Sequence, residues 1–152
     1  MPAVTPGRLA AALRAHGHLP RGDVASVEVV KTFETPPSTV VKLAVTYSSD
    51  APASAPRRLF VKAPKPHKLH RGRREVRFYT EVAPLMPGVP LPRCFGVVEE
   101  PASGVPALLL EDLSGTHAGT EWPVLRAPME GMLDALARLH AAWWDHPHLA
   151  AA

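Results

Sequence analysis

Two oppositely charged residues sit where apolar ones are expected. Leu59-Phe60-Val61-Lys62 has the composition of a buried strand, and strand alternation places Phe60 and Lys62 on one face with Leu59 and Val61 on the other. Thirteen residues on, Glu75, Phe78, Tyr79 and Val82 fall at i, i+3, i+4 and i+7, the apolar stripe of a helix. A carboxylate on such a stripe needs a cation or a hydrogen-bond donor, because an unpaired buried charge is costly. Lys62 is the nearest cation in a strand that would pack under that helix. An ammonium held this way is suited to the α- and β-phosphates of a nucleotide. From spacing alone the blander readings have more weight: a structural ion pair, or Glu75 reaching out to water.

The elements that would position this pair follow from local signals. Thr5-Pro6 reads as an N-cap and first helical residue, with Leu9 and Leu13 on one face and Gly17 at the stop, so a helix is expected over 6–16. Ser26 to Phe33 and Thr39 to Tyr47 read as strands around a turn at Thr35-Pro36-Pro37-Ser38. Arg58 to Ala63 is a third strand. The following helix is expected from about Arg73, with Arg77 and Glu81 paired off its stripe and Pro84 and Pro87 ending it. Arg93 to Glu99 and Ala107 to Glu111 read as a hairpin across Pro101-Ala102-Ser103-Gly104. A last helix is expected from about Pro128 to Trp144, with Met129, Met132, Leu133, Leu136, Leu139 and Trp143 as its stripe. Short hairpin links favour an antiparallel sheet, so the fold class is α+β: five antiparallel strands, an N-terminal helix, a helix after the third strand and a C-terminal helix.

Composition narrows the functional classes. The 152 residues suffice for one domain with a real core, and 46% hydrophobic content is ordinary for a globular protein. No run approaches the roughly 18 apolar residues of a membrane span, and the start has no signal-peptide pattern. The one cysteine, Cys94, excludes an internal disulfide and fits a reducing cytoplasm. The net charge of +3 is too mild to name a partner. There is no Asn, Gln or Ile, and the 18 Pro sit mostly in connections.

Four segments in order resemble the aminoglycoside phosphotransferase and choline kinase-like superfamily, and most of all its ecdysteroid-kinase-like branch. They are Leu59-Phe60-Val61-Lys62, Glu75-Val76-Arg77-Phe78-Tyr79, Leu108-Leu109-Leu110-Glu111-Asp112-Leu113 and Leu136-Ala137-Arg138-Leu139-His140-Ala141. The resemblance implies a protein-kinase-like N-terminal lobe over 1–113. Residues 114–152 would then be a post-hinge linker and the first helix of a C-terminal lobe beyond this chain. It implies ATP as the bound nucleotide, Lys62 as the phosphate lysine and Glu75 as its helix partner. Glu111 to Leu113 would be the hinge, with backbone groups at Glu111 and Leu113 meeting the adenine edge. Ser38 and Thr39, in the first hairpin turn, would add hydroxyl and N–H donors to the phosphates. That turn lacks the glycines that let backbone approach phosphate closely.

Transfer chemistry of this kind needs an aspartate base, an asparagine for metal and a second metal-binding aspartate. The family carries the first two in a His-Gly-Asp loop with Asn five residues on. No His-Gly-Asp occurs here, a chain without Asn cannot complete the loop, and Asp145 in Trp144-Asp145-His146-Pro147 has other neighbours. The expectation is therefore an ATP-binding lobe of a small-molecule, hydroxyl-directed phosphotransferase that is catalytically incomplete as this chain. Mg would enter only with the missing lobe, and a small-molecule acceptor only in a full-length protein. The alternatives are a degenerate nucleotide-binding or interaction module and a basic nucleic-acid-binding domain. Six of the thirteen residues from Lys65 to Arg77 are Lys or Arg, but without interleaved aromatics they read as a solvated face. His67/His70 and His146/His148 have no Cys, Asp or Glu at supporting spacing, which argues against a metal. The last helix should leave an apolar surface exposed, including some of Leu136, Leu139, Trp143 and Trp144, for a complementary lobe or self-association.

Overall fold

A computed structural model describes residues 4–86, 88–99, 104–115 and 126–147. Residues 101–103, where the sequence places a hairpin turn, and Pro87 and His148 lie outside them. The fold is α+β. Helix α1 (Pro6–Ala15) is followed by strands β1 (Val24–Glu34), β2 (Ser38–Tyr47) and β3 (Arg58–Pro64), then helix α2 (Leu69–Arg77). Strands β4 (Cys94–Glu99) and β5 (Pro106–Glu111) and helix α3 (Arg126–Trp143) complete it. The five strands form one antiparallel sheet in the order β1-β2-β3-β5-β4.

Pleating divides this sheet cleanly. Val41, Leu43 and Val45 of β2, Leu59, Val61 and Ala63 of β3, and Ala107 and Leu109 of β5 are buried on one face with Leu9, Ala10 and Leu13 of α1. Helix α1 touches both edge strands, β1 and β4, so the sheet curls around it. Thr5 caps the helix by accepting the Arg8 N–H at 3.4 Å. Gly17, at φ +73°, ends it in a conformation glycine adopts without strain. The other face carries Val40 and Lys42 of β2, Phe60 and Lys62 of β3, and Leu108 and Leu110 of β5.

Tyr47 closes the core at the end of β2, donating its hydroxyl to the Pro56 carbonyl at 2.7 Å. Burial pushes its phenol up to about 12, against a smaller opposing effect of Arg57. The folded state therefore resists an ionisation that the unfolded chain undergoes at about 10. The stabilisation is complete below pH 10 and drains away as pH rises toward 12. Denaturant midpoints measured across that window should fall by the equivalent of about 2–3 kcal/mol. Tyr47→Phe should flatten the alkaline slope while costing about 1 kcal/mol at neutral pH. An unchanged slope in the variant would remove Tyr47 as its source.

Helix α2 starts four residues earlier than its sequence suggests. Pro66 opens a single 3-10 turn, Pro66–Lys68, which runs directly into the helix at Leu69. Gly72, which reads as a reason to delay the helix, is a packing residue inside it. A β-carbon there would lie 2.4 Å from Pro64 Cγ. Beyond Arg77 the helix widens into a π-turn, Phe78–Val82, and then tightens through Ala83–Leu85. Pro84 explains the change, since it cannot donate to the carbonyl four residues back and its ring crowds that carbonyl.

Candidate functional site

Helix α2 lies against β3 and β5 on the face opposite α1. The missing side chain of Gly72 lets it press onto Pro64, two residues past Lys62. One turn further along α2, the Glu75 carboxylate reaches Lys62. The Lys62 ammonium donates to Glu75 Oε1 at 2.6 Å, and both side chains are about one-third exposed, at 29% and 33%. The pair is thus formed, and it stands on a partly accessible face of the sheet where the Lys62 ammonium has two further N–H donors to offer. Tyr79 lies close by. Burial, then the charges of Glu75 and Cys94, push its phenol above the ordinary value.

The same sheet face holds a second ion pair that sequence reasoning missed. Lys42 stands across from Phe60 in the β2–β3 register, one step along the face from Lys62. Its ammonium meets Asp112 Oδ2 at 2.9 Å and donates to Ser114 Oγ at 3.1 Å. The Asp112 side chain is only 4% exposed, and its other oxygen accepts the Ser114 N–H at 2.9 Å. Burial raises the Asp112 carboxyl, but the hydrogen bonds from Ser114 and Lys42 outweigh it and hold the group below the ordinary carboxylate range. The Lys42 ammonium also lies 5.9 Å from the Phe60 ring centre, and Phe33 of β1 approaches the same ring at 6.1 Å. Lys31 stands 4.9 Å over Phe33. Two phenyl rings and several ammonium groups therefore share the face that bears Lys62. A planar aromatic anion is the chemistry such a surface suits.

The remaining sequence-designated residues are placed less directly. Ser38 shares the Lys62 face but is buried, and its backbone is spent inside the turn. Its N–H donates to Thr35 Oγ1 at 3.1 Å, and its carbonyl accepts the Thr35 N–H at 2.9 Å. Thr39 pairs with Ala63 in the register and so falls on the opposite face from Lys62. Its hydroxyl donates to Glu34 at 3.0 Å. The Lys65 ammonium and then the Thr39 hydroxyl hold the Glu34 carboxyl below its usual value. The turn is thus closed on itself by its own side chains, and Thr39 is not brought to Lys62. Glu111 lies across from Leu59, three residues along the strands from the Lys62–Leu108 pair, a separation of about 10 Å. Its N–H donates to the Arg93 carbonyl at 2.8 Å and its carboxylate accepts the Arg93 N–H at 3.1 Å. Leu113, half-buried, follows Asp112 directly.

Other features stand apart from this face. A cavity of about 270 Å³ lies behind the end of α2, lined by Tyr79, Met86, Leu91, Arg93 and Cys94 among others, and contains neither Lys62 nor Asp112. Burial raises the Cys94 thiol, which is the opposite of what a reactive thiolate needs. Within the basic run, Lys65 is paired with Glu34 and Arg77 with Glu81, while Arg71, Arg73 and Arg74 line the exposed side of α2. Among the described residues, no group of three His, Cys, Asp or Glu side chains is placed to hold a metal ion, and no helix is long and apolar enough to cross a membrane. On α3, Met129, Met132, Leu133 and Leu136 are exposed, and Trp144, just past its end, is 80% exposed. Leu139 and Trp143 are half-buried, and the Trp143 indole N–H donates to Met86 Sδ.

No family model matches the chain, and no curated protein matches it significantly.

Proposed function

We propose that this chain is the ATP-binding lobe of a small-molecule phosphotransferase of the aminoglycoside phosphotransferase and choline kinase-like superfamily. The observation that carries the proposal is the 2.6 Å Lys62–Glu75 contact on an accessible sheet face. The β5 end that runs into Glu111–Leu113 lies about 10 Å further along the strands, with Glu111 across from Leu59. A nucleotide laid along that face would set its phosphates at Lys62 and its base toward Phe60 and the Glu111–Leu113 segment. Phe33 and Phe60 offer apolar ring surface to the base. The closed β1–β2 turn adds little to the phosphate grip, because Thr39 points away and the Ser38 backbone is occupied. The affinity expected is modest for that reason.

The proposed lobe holds phosphates without transferring them. A chain with no Asn has no His-Gly-Asp loop with its metal-binding asparagine, so neither base nor metal is supplied to the γ-phosphoryl group. The exposed apolar side of α3 is the surface through which a complementary lobe would attach. Calorimetric titration of the purified chain with ATP should show saturable binding in the micromolar to millimolar range. The same sample should turn over no Mg-ATP with hydroxyl acceptors. Absence of binding at several millimolar ATP would sink the reading, and acceptor-dependent turnover would sink its second half.

A further inference from the structure

We infer that Lys42 and Asp112 are positioning residues that set the backbone of the Glu111–Leu113 segment for recognition of the nucleobase edge. The inference rests on the nucleotide reading above and assigns a role to a charge cluster which that reading does not use. Three observations carry it. First, Asp112 is the middle residue of the segment, yet its side chain is almost fully buried. One oxygen is tied to β2 through Lys42 and the other folds back onto the Ser114 N–H. That turn fixes the backbone immediately around Leu113. Second, Lys42 is committed to the protein. Its ammonium is shared between Asp112 and Ser114 and lies over the Phe60 ring, so it is aimed at the segment more than at open space. Third, the cluster lies toward the C-terminal end of β5: Lys42 stands across from Phe60, two residues along the strands from the Val40–Lys62 pair, and Asp112 follows Glu111, on the side where the base and not the phosphates would lie.

Recognition of a base by backbone groups demands that those groups be held to within a fraction of an ångström. A loop at a strand end does not have that rigidity by itself. An ion pair largely shielded from water and anchored in an inner strand, β2, supplies it, with a stringency that an exposed polar contact lacks. Adenine and guanine present different donor and acceptor patterns along the edge that would meet Glu111 and Leu113. Loosening the segment should therefore erode discrimination between them before it erodes phosphate binding.

The test uses the full chain, with ATP and GTP as probes in parallel titrations. The wild type should prefer ATP. Asp112→Asn and Lys42→Met should each lower ATP affinity by about tenfold, leave GTP affinity little changed, and bring the ratio toward one. Lys42→Arg, which keeps the ion pair, should restore most of the preference. Lys62→Ala should weaken ATP and GTP by the same factor and leave the ratio intact. Circular dichroism checks that each variant is folded. If Asp112→Asn does not fold, the pair Lys42→Met with Asp112→Leu fills the space without charge and takes its place. Unchanged affinity and ratio in the folded variants, beside a weakened Lys62→Ala, would overturn this inference and leave the nucleotide reading standing. A wild type indifferent to the base would overturn it too. A wild type that binds neither nucleotide overturns both.

Discussion

Lys62→Ala is expected to lower ATP affinity by about 10- to 100-fold, the equivalent of roughly 1.5–3 kcal/mol for a lost hydrogen-bonded charge contact. Glu75→Ala should cost less, about three- to tenfold, because the ammonium stays but loses its orientation. The double variant should bind no worse than Lys62→Ala alone, since the Glu75 carboxylate would act through Lys62. Adenosine, which carries no phosphate, should bind all three variants equally. Stability provides the necessary contrast. Both side chains are about one-third exposed, so solvent screening leaves the pair worth little to folding. The variants should melt within a few degrees of the wild type. A Glu75→Ala chain that loses stability but keeps its ATP affinity would mark the pair as structural, the blander reading that spacing alone preferred.

How far the site could be read from sequence depended on whether its signal was local. Lys62 and Glu75 each break an apolar pattern inside one element, and the two elements are consecutive, so pattern alone brought them together. Lys42 breaks no pattern. It occupies a polar position in an alternating strand, as thousands of solvated lysines do, and its partner Asp112 lies seventy residues away in a segment without regular structure. The available signal was the β2–β3 register, which sets Val40 across from Lys62 and so places Lys42 on the same face. Register depends on the connection, and residues 48–57 between β2 and β3 form a Pro- and Ser-rich loop in place of a tight turn. The same dependence explains Thr39, whose neighbourhood in sequence was legible but whose face was not. One residue of pleat separates the side of Lys62 from the side of Val41.

Helix α2 shows the limit from another direction. Its stripe was legible, yet Pro66, Gly72 and the early basic residues argue locally for a loop up to Arg73. Tertiary contact overrides them. The glycine that weakens the helix by about 1 kcal/mol relative to alanine is what allows the helix to exist at that distance from β3. The π-turn after Arg77 had only Pro84 to announce it, and proline says that a helix must change without saying how. The α1 helix, by contrast, was read almost to the residue, because its cap, first-turn proline and terminal glycine are all local.

The packing of Gly72 on Pro64 leads to the strongest expected effect away from the charges themselves. Gly72→Val should cost about 1–3 kcal/mol of stability, since its β-carbon would start 2.4 Å from Pro64 Cγ, so that the helix or the proline ring must shift. Helix propensity works the other way for Gly72→Ala, where alanine gains about 1 kcal/mol in the helix and meets the same clash. Alanine therefore separates the two contributions. If contact dominates, Gly72→Ala melts lower than the wild type. Either way the helix must move off β3, and Glu75 moves with it. A shift of about 1 Å in a positioned group is enough to cost far more in function than in stability. Gly72→Ala should thus lose ATP affinity about as Glu75→Ala does, although its new contact is with Pro64 and not with the ion pair. Pro64→Ala removes the ring atoms that the new methyl would strike. Combined with Gly72→Ala it should return both the melting temperature and the ATP affinity toward wild type. Rescue of stability without rescue of binding would mean that Glu75 does not take its position from this contact.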